Sequence, residues 1–152
     1  MTKLTHSVEI QRPVSKVYDL ARQVERYPEF LPGYVESRIV QNRENGVLLE
    51  RSALIRGKLV RWTSWVSWKE NKAIHFVQKE GPLKGMWVNW RFDALSPDMT
   101  RLTITHLFDV HRPLGLGHLL EKWIFKPRLN EIAMQVIEAF KLACEKEWAV
   151  SV

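Results

Sequence analysis

The sequence predicts an α+β fold, in which one strongly curved antiparallel sheet wraps around a long C-terminal helix. Three observations predict it. The N-terminus alternates polar and apolar residues as a strand does, the segment from Val35 to Val110 consists of extended runs between turn signals, and the segment from Gly117 to Trp148 has helical periodicity. Because the strands follow one another without intervening helices, this order favours a meander over βαβ units.

The first part of the chain is predicted to form a strand and two short helices. Leu4, Val8 and Ile10 alternate with polar residues, and His6 shares their face. Pro13 then opens a helical pattern whose apolar face consists of Val14, Val17, Tyr18 and Ala21. A second short helix is expected around residues 24–30, so that both helices lie between the first and second strands.

The segment Tyr27-Pro28-Glu29-Phe30-Leu31-Pro32-Gly33 is a short aromatic connector bracketed by two prolines. Proline fixes its own φ and biases the preceding residue away from the helical region, so each X-Pro step is expected to stop a helix. Gly33 permits a sharp exit into the next extended run. Placed before a meander and a gripping helix, this connector is expected to form the rim of a ligand cavity.

The meander is predicted from extended runs of about ten residues that are joined by tight turns. The turn signals are Asn45-Gly46, Gly57, Glu70-Asn71, Gly81-Pro82 and Ser96-Pro97-Asp98. A curved sheet and a single helix do not easily fill the space between them. We therefore expect a cavity there.

The C-terminal region is predicted to be helical after a break. Residues 111–117 (His-Arg-Pro-Leu-Gly-Leu-Gly) break the strand pattern and are interpreted as a hinge or flap. Pro127 is expected to kink the helix or divide it in two. The helical stripe consists of Ile132, Ala133, Val136, Ile137, Phe140, Cys144 and Trp148.

Composition favours a single globular domain over residues 1–152, with 45% hydrophobic and 26% charged residues. No stretch approaches the ~18 consecutive apolar residues of a membrane span, and the N-terminus lacks the pattern of a secretory signal. The one cysteine, Cys144, cannot form an internal disulfide. A cytoplasmic protein with a buried structural thiol is therefore expected.

The formal net charge of +6 leaves two interpretations open. It would attract the chain to a membrane surface, to RNA or to an acidic carrier protein. The basic residues are scattered, however, and the densest groups are interleaved with apolar residues, as in an ordinary solvated face. These groups are Arg56, Lys58 and Arg61, and Lys122, Lys126 and Arg128.

Strand parity predicts which side chains face the cavity. In the last strand His106 is the one ionisable residue in an inward apolar row, where desolvation would favour its neutral form. It is therefore either a core histidine with a hydrogen-bond partner or a ligand-contacting, acid/base residue. The same parity turns inward Trp62, Ser64, Val66, Trp68, Gln78, Met86, Val88, Trp90, Phe92, Leu102, Ile104 and Phe108.

Other chemistries find little support in the sequence. The seven tryptophans suggest nucleic-acid stacking, but Trp65 points away from Trp62 and Trp68, and Trp87 away from Trp90. Core or cavity packing is the favoured use. The histidines and the cysteine lack metal-ligand spacing, and neither a Gly-x-Ser-x-Gly elbow nor a phosphate loop is present, so no metal or cofactor is expected.

The chain resembles the START-like, helix-grip superfamily, which includes aromatic polyketide cyclases and coenzyme Q-binding proteins. The resemblance covers essentially the whole chain. It is carried by Pro13 with Val17-Tyr18, the block of residues 27–33, Gly81-Pro82-Leu83, Trp90-Arg91-Phe92 and Ile137-Glu138-Ala139-Phe140. The block and the Gly-Pro turn are most similar to the coenzyme Q-binding branch and its bacterial relatives described as ribosome-association toxins.

The resemblance bears on catalysis in two opposite ways. In the cyclases, the position that matches His106 carries a polar residue implicated in catalysis, and a tyrosine stands where Tyr34 stands here. The cyclases also carry an arginine on the middle strand that holds polyketide oxygens, and the matching position here is Val66. Without that cation an enolate would be poorly stabilised, which favours binding over catalysis.

Three functional hypotheses follow. The first is the binding of a hydrophobic small molecule, such as a polyketide, aromatic intermediate, isoprenoid quinone or lipid, for transport or presentation. In this hypothesis Trp62, Trp90, Phe92 and Phe108 supply apolar contact, and His106, Gln78, Ser64 and Tyr34 orient the ligand. The second is a cyclase/dehydratase with His106 as acid/base and Tyr34 as donor. The third is a ribosome- or RNA-associating regulator that uses the basic surface.

Overall fold

A computed structural model describes residues 2–82, 84–108 and 126–151. For residues 126–127 and 147–151 it describes the backbone only. The strands are β1 (Thr2–Ile10), β2 (Tyr34–Arg43), β3 (Gly46–Ile55), β4 (Lys58–Lys69), β5 (Ala73–Glu80), β6 (Trp87–Ser96) and β7 (Met99–Phe108). The helices are α1 (Val14–Arg22), a 3₁₀ turn (Val24–Arg26), α2 (Tyr27–Phe30) and α3 (Lys126–Ser151). The predicted α+β element order is thus confirmed.

The seven strands form one antiparallel sheet in the order β1-β7-β6-β5-β4-β3-β2. Strands β2 to β7 follow each other as a meander, and β1 pairs with β7 along its whole length. The register shifts between Tyr34 and Glu36, between Ile39 and Gln41 and between Thr63 and Ser64. Such bulges bend and twist a sheet. The concave face of the sheet holds the core and α3.

Helix α3 packs its apolar stripe against the sheet. Ala133, Ile137, Phe140 and Cys144 recur at three- and four-residue spacing and are all buried, as the sequence pattern predicts. Polar contacts fix the helix against β1, since His6 Nε2 lies 2.7 Å from Asn130 Oδ1 and the Gln11 N–H donates to Glu145. No helix in the described ranges is long and apolar enough to cross a membrane.

Tyr27 lies at the centre of the core rather than at a cavity rim. Its side chain is fully buried, and its ring stacks on Trp90 with centroids 5.8 Å apart and an interplanar angle of 12°. Its hydroxyl donates a 2.6 Å hydrogen bond to the carbonyl of Ala21. The aromatic connector, which contains α2, therefore packs against the sheet and is hydrogen-bonded to α1. Its last two residues, Pro32 and Gly33, line the cavity.

One expectation about proline is corrected. Tyr27 precedes Pro28 yet is helical (φ −51°, ψ −38°), because Pro28 falls in the first turn of α2, where no N–H is needed. Pro127 lies in the first turn of α3, which continues as one helix to Ser151. The helical piece predicted before Pro127 lies outside the described residues. Leu31 before Pro32 is extended, as expected (φ −102°, ψ 130°). The hinge predicted at residues 111–117 lies outside the described residues.

The two buried tyrosines of the helical region provide a stability test. Replacing Tyr27→Phe removes the hydrogen bond to Ala21 and leaves a buried carbonyl with one acceptor unused, so the free energy of unfolding should fall by about 1–3 kcal/mol. The matched control is Tyr18→Phe, because the buried Tyr18 hydroxyl has no hydrogen-bond partner among the described residues. Urea unfolding should show the control to be neutral or slightly stabilised. Equal losses in the two variants would contradict this role of Tyr27.

Candidate ligand-binding cavity

A cavity of about 720 Å³ lies between the concave face of the sheet and α3. Strands β3 to β7 supply about half of its lining residues, and α3 supplies seven more. Its apolar lining consists of Pro32, Gly33, Ala53, Leu54, Ile55, Val60, Trp62, Phe76, Pro82, Met86, Val88, Trp90, Ile104, Leu129, Ile132, Ala133 and Val136. Its polar lining consists of Tyr34, Arg51, Arg56, Gln78, His106, Arg128, Glu131 and Gln135.

Arg51 is the centre of a polar cluster on the cavity wall. Its Nη2 donates to Ser64 Oγ at 3.0 Å, and Ser64 Oγ donates in turn to Gln78 Oε1 at 3.0 Å. Arg51 Nη1 lies 3.5 Å from the hydroxyl of Tyr34. These residues come from β2, β3, β4 and β5, so the antiparallel register builds the cluster from four strands.

The guanidinium of Arg51 is buried without a carboxylate partner. The residue is 5% exposed, and its guanidinium carbon lies 4.8 Å from the ring centre of Phe76 and 5.2 Å from that of Trp62. Its Nε atom is buried and has no hydrogen-bond partner, and no acidic side chain in the described ranges forms an ion pair with it. Buried charges are normally paired, so the guanidinium of Arg51, which lines the cavity, is suited to an acceptor oxygen inside it.

Arg51 corrects the expectation that the cavity lacks an arginine. Val66, where the sequence comparison placed the missing cation, is fully buried in the core. The cation is supplied from β3 instead. The parity that singled out His106 also marks Arg51, because Val47, Leu49, Arg51 and Ala53 alternate on one face of a strand and are all buried. A cation that can stabilise an enolate is therefore present in the cavity wall.

His106 lines the cavity from β7, opposite Val88 on β6 and Leu4 on β1. Burial, and to a smaller extent the nearby His6, lowers the pKa of its imidazole to about 4. The side chain is therefore neutral at physiological pH. Its Nδ1 is buried without a hydrogen-bond partner among the described residues, so no hydrogen bond to this nitrogen fixes the tautomer of the ring.

The other residues predicted to line the site divide into two groups. Trp62, Gln78, Met86, Val88, Trp90 and Ile104 line the cavity, together with Tyr34. Ser64, Val66, Phe92 and Phe108 are buried but do not contribute to the lining in the described part of the chain. Ser64 lies behind Arg51, and the ring of Phe92 packs edge-on against Tyr18 at 5.6 Å.

The described residues contain no group of three or more histidine, cysteine or acidic side chains placed to hold a metal ion. The described lining offers one buried cation (Arg51), one neutral imidazole (His106), hydroxyl and amide groups and aromatic walls, together with the less buried charged side chains of Arg56, Arg128 and Glu131.

Comparison with known proteins identifies the family of the chain and its fold. The sequence profile described as "Polyketide cyclase / dehydrase and lipid transport" matches residues 10–141. A curated relative, the ribosome association toxin RatA of Pseudomonas aeruginosa, is 25% identical over 139 residues, which cover 91% of this chain and 92% of the relative.

Solved structures share the fold at low sequence identity. The Zhui aromatase/cyclase from Streptomyces sp. R1128 has a TM-score of 0.75 at 18% identity, covering 95% of this chain and 94% of that one. A START superfamily protein from Mycobacterium smegmatis has a TM-score of 0.73 at 17% identity, covering 99% of both chains. The START-like helix-grip fold implied by the sequence is thus confirmed.

The low pKa of His106 predicts a loss of stability in acid. The folded-state pKa of about 4 lies below the ordinary value of 6.5, so the unfolded chain takes up this proton first as the pH falls. The stabilisation is complete above pH 6.5 and is lost towards pH 4, by up to roughly 3 kcal/mol. Urea unfolding across this pH range should show that the free energy of unfolding falls less in His106→Leu than in the wild type. His75→Gln, which removes a histidine outside the cavity, should keep the wild-type dependence, and an unchanged slope in His106→Leu would contradict the prediction.

Proposed function

Because this chain belongs to the polyketide cyclase/dehydrase and lipid transport family, we propose that its cavity binds a hydrophobic small molecule that carries an anionic or oxygen-rich end. The proposal rests on the burial of Arg51, a cation that lines an apolar cavity and has no carboxylate partner among the described residues. The ligand would place its apolar body along the aromatic wall and its oxygen on the guanidinium.

The size and lining of the cavity support a ligand of drug-like dimensions. Pockets that bind such molecules measure roughly 300–1,000 Å³ and are mostly apolar with a few placed polar groups. The cavity of about 720 Å³ lies within that range, and its polar side chains are few compared with its apolar ones. Burial of the ligand's apolar surface would provide the main driving force.

Aromatic side chains surround the cation and favour a flat ligand. Trp62 and Phe76 lie within 6 Å of the Arg51 guanidinium, and Trp90 forms the adjoining wall. Flat rings stack on such side chains with offset or edge-on geometry. A polyketide, an aromatic intermediate, an isoprenoid quinone or an acidic lipid would each combine an apolar body with a carbonyl, phenolate or carboxylate oxygen for Arg51.

A second candidate function is cyclisation and dehydration of such a ligand, and Arg51 together with His106 favours it. A neutral His106 can remove a proton from the carbon beside a ligand carbonyl, and a guanidinium can stabilise the resulting enolate. The enolate carbon then attacks a second carbonyl of the same molecule, forming one carbon–carbon bond. Tyr34 would donate the proton to the new alkoxide, and loss of water would complete the step without any oxidant.

Arg51→Met tests the binding proposal, because methionine keeps an unbranched apolar side chain and removes the charge. Two fluorescent probes with the same rings are compared, anilinonaphthalene sulfonate, which is anionic, and N-phenylnaphthylamine, which is neutral. The wild type should bind the sulfonate more tightly than the neutral probe. Arg51→Met should lower the affinity for the sulfonate by about tenfold or more, which corresponds to the loss of one charged hydrogen bond. The neutral probe should keep its affinity.

Arg61→Met is the matched control, because Arg61 is exposed on the opposite face of β4. It should bind both probes as the wild type does. Equal affinity of the wild type for both probes, or an equal loss of both in Arg51→Met with an unchanged melting temperature, would contradict the role assigned to Arg51.

The cyclase candidate has a separate test in the pH dependence of turnover. A synthetic poly-β-ketone thioester is incubated with the protein, and cyclised products that have lost water are measured by mass spectrometry. The rate should rise with pH through a value near 4, as His106 loses its proton, and this dependence should disappear in His106→Gln. Tight binding without turnover in the wild type would exclude catalysis on this substrate and leave the binding proposal standing.

A further inference from the structure

The solvent-facing side of the sheet carries an apolar row that the cavity does not use. Pairing in register across the sheet brings one residue from each of five adjacent strands into line. In order from β3 to β7, the row consists of Leu48, Trp65, Val77, Trp87 and Leu107. Lys3 on β1 continues the row beyond Leu107. We call this set, without Lys3, the outer row.

Each member of the outer row points away from the core. Trp65 lies between the fully buried Ser64 and Val66, and Trp87 lies between the buried Met86 and Val88. Since side chains alternate along a strand, both tryptophans project from the convex face. Trp87 is 57% exposed, and together with its neighbours in the row it forms an apolar patch on this face.

The two tryptophans lie close enough to contact one ligand. They are separated by one strand, β5, which places their backbones about 10 Å apart. The guanidinium of Arg43 lies 6.0 Å from the ring centre of Trp65, and a methyl group at Gly46 would lie 2.7 Å from the same ring. Trp65 therefore packs against Gly46, the first residue of β3, and the guanidinium of Arg43 lies over its ring.

The outer row is surrounded by a surplus of positive charge. Glu9, Glu50 and Asp93 on this face are each paired with an arginine, at distances of 3.4, 3.1 and 2.9 Å. Among the other strand residues of the face, cations outnumber carboxylates. The cations are Lys3, Arg43, Arg61, Lys69 and Lys79, and the carboxylates are Glu36 and Glu80.

We propose that this outer face binds single-stranded nucleic acid, with bases stacked on Trp87 and Trp65 and phosphates held by the surrounding cations. Aromatic side chains on a sheet face combined with flanking cations are the two elements that such binding needs. The site is separate from the cavity, because the sheet itself lies between them.

Charge decides between nucleic acid and other occupants of this face. A second copy of the chain, docked by two-fold symmetry, would bring two positive faces together and repel itself. A membrane would require apolar side chains at a protruding edge. Here the row runs across the middle of the sheet and is bordered by polar residues such as Ser67, Asn89 and Thr105. A flexible polyanion with stackable rings fits both the charge and the spacing.

Fluorescence polarisation with labelled oligonucleotides of about 12 nucleotides tests the proposal, with single-stranded RNA, single-stranded DNA and duplex RNA as separate arms. The wild type should bind the single strands and prefer them to the duplex. Trp87→Ala should weaken single-strand binding by about tenfold or more, and Trp87→Phe should retain most of it. The RNA and DNA arms then show which single strand is preferred.

Two controls separate stacking and charge from general effects. Leu142→Ala, at a 65% exposed residue of α3, should bind as the wild type does. Lys79→Ala should reduce the steepness of the plot of log affinity against log salt concentration by about 0.7, the contribution of one phosphate contact. Lys16→Ala on α1 should leave that slope unchanged. The probe affinities of the cavity should be unaltered in Trp87→Ala, so that failure here is distinguishable from failure of the cavity proposal.

Three outcomes would overturn the inference. The first is the absence of binding to either single strand at low salt. The second is binding that is as tight for the duplex and insensitive to Trp87→Ala, which would be charge attraction alone. The third is self-association in sedimentation that Trp87→Ala abolishes, which would assign the outer row to a second copy of the chain.

Discussion

The contact on which the rest of the fold depends is the packing of Trp90 against Tyr27 and Phe140. The ring of Trp90 stacks on Tyr27 at 5.8 Å and meets Phe140 edge-on at 5.2 Å. One side chain of the sheet thereby holds the short helices on one side and α3 on the other. Because Trp90 also lines the cavity, the same contact that joins the layers sets one wall of the site. Packing and function are thus coupled through a single strand residue.

Arg51, in contrast, lowers the stability of the same core. Removing a guanidinium from water costs free energy, and the hydroxyl of Ser64 and the surrounding rings return only part of that cost. An apolar residue in this position would give a more stable core. The retention of an incompletely satisfied cation in an apolar cavity is typical of a binding or catalytic site, where stability is exchanged for recognition. His106, kept neutral by the same apolar surroundings, fits that view.

The sheet separates two surfaces with different chemistry. Its concave face is apolar with one buried cation and suits a small hydrophobic molecule. Its convex face combines the outer row with exposed cations and suits a polyanion. The hypothesis of a ribosome- or RNA-associating regulator therefore no longer rests on scattered basic residues and a net charge of +6, but on one face with Trp65 and Trp87 in line. The two activities would not compete, because neither surface uses the side chains of the other.

The sequence alone determined the strands, the meander, the C-terminal helix and the inward direction of residues such as His106 and Trp90. These follow from periodicity and turn chemistry, which are local properties of the chain. It did not reveal that Tyr27 is buried under Trp90, that Arg51 replaces the cation missing at Val66, or that Trp65 and Trp87 align. Parity within one strand gives the face of a residue but not its neighbour on the next strand. Register, which bulges and turn lengths set across the whole sheet, decided that Trp65 and Trp87 align and which strands surround Arg51. The packing of the short helices against the sheet decided the burial of Tyr27 under Trp90.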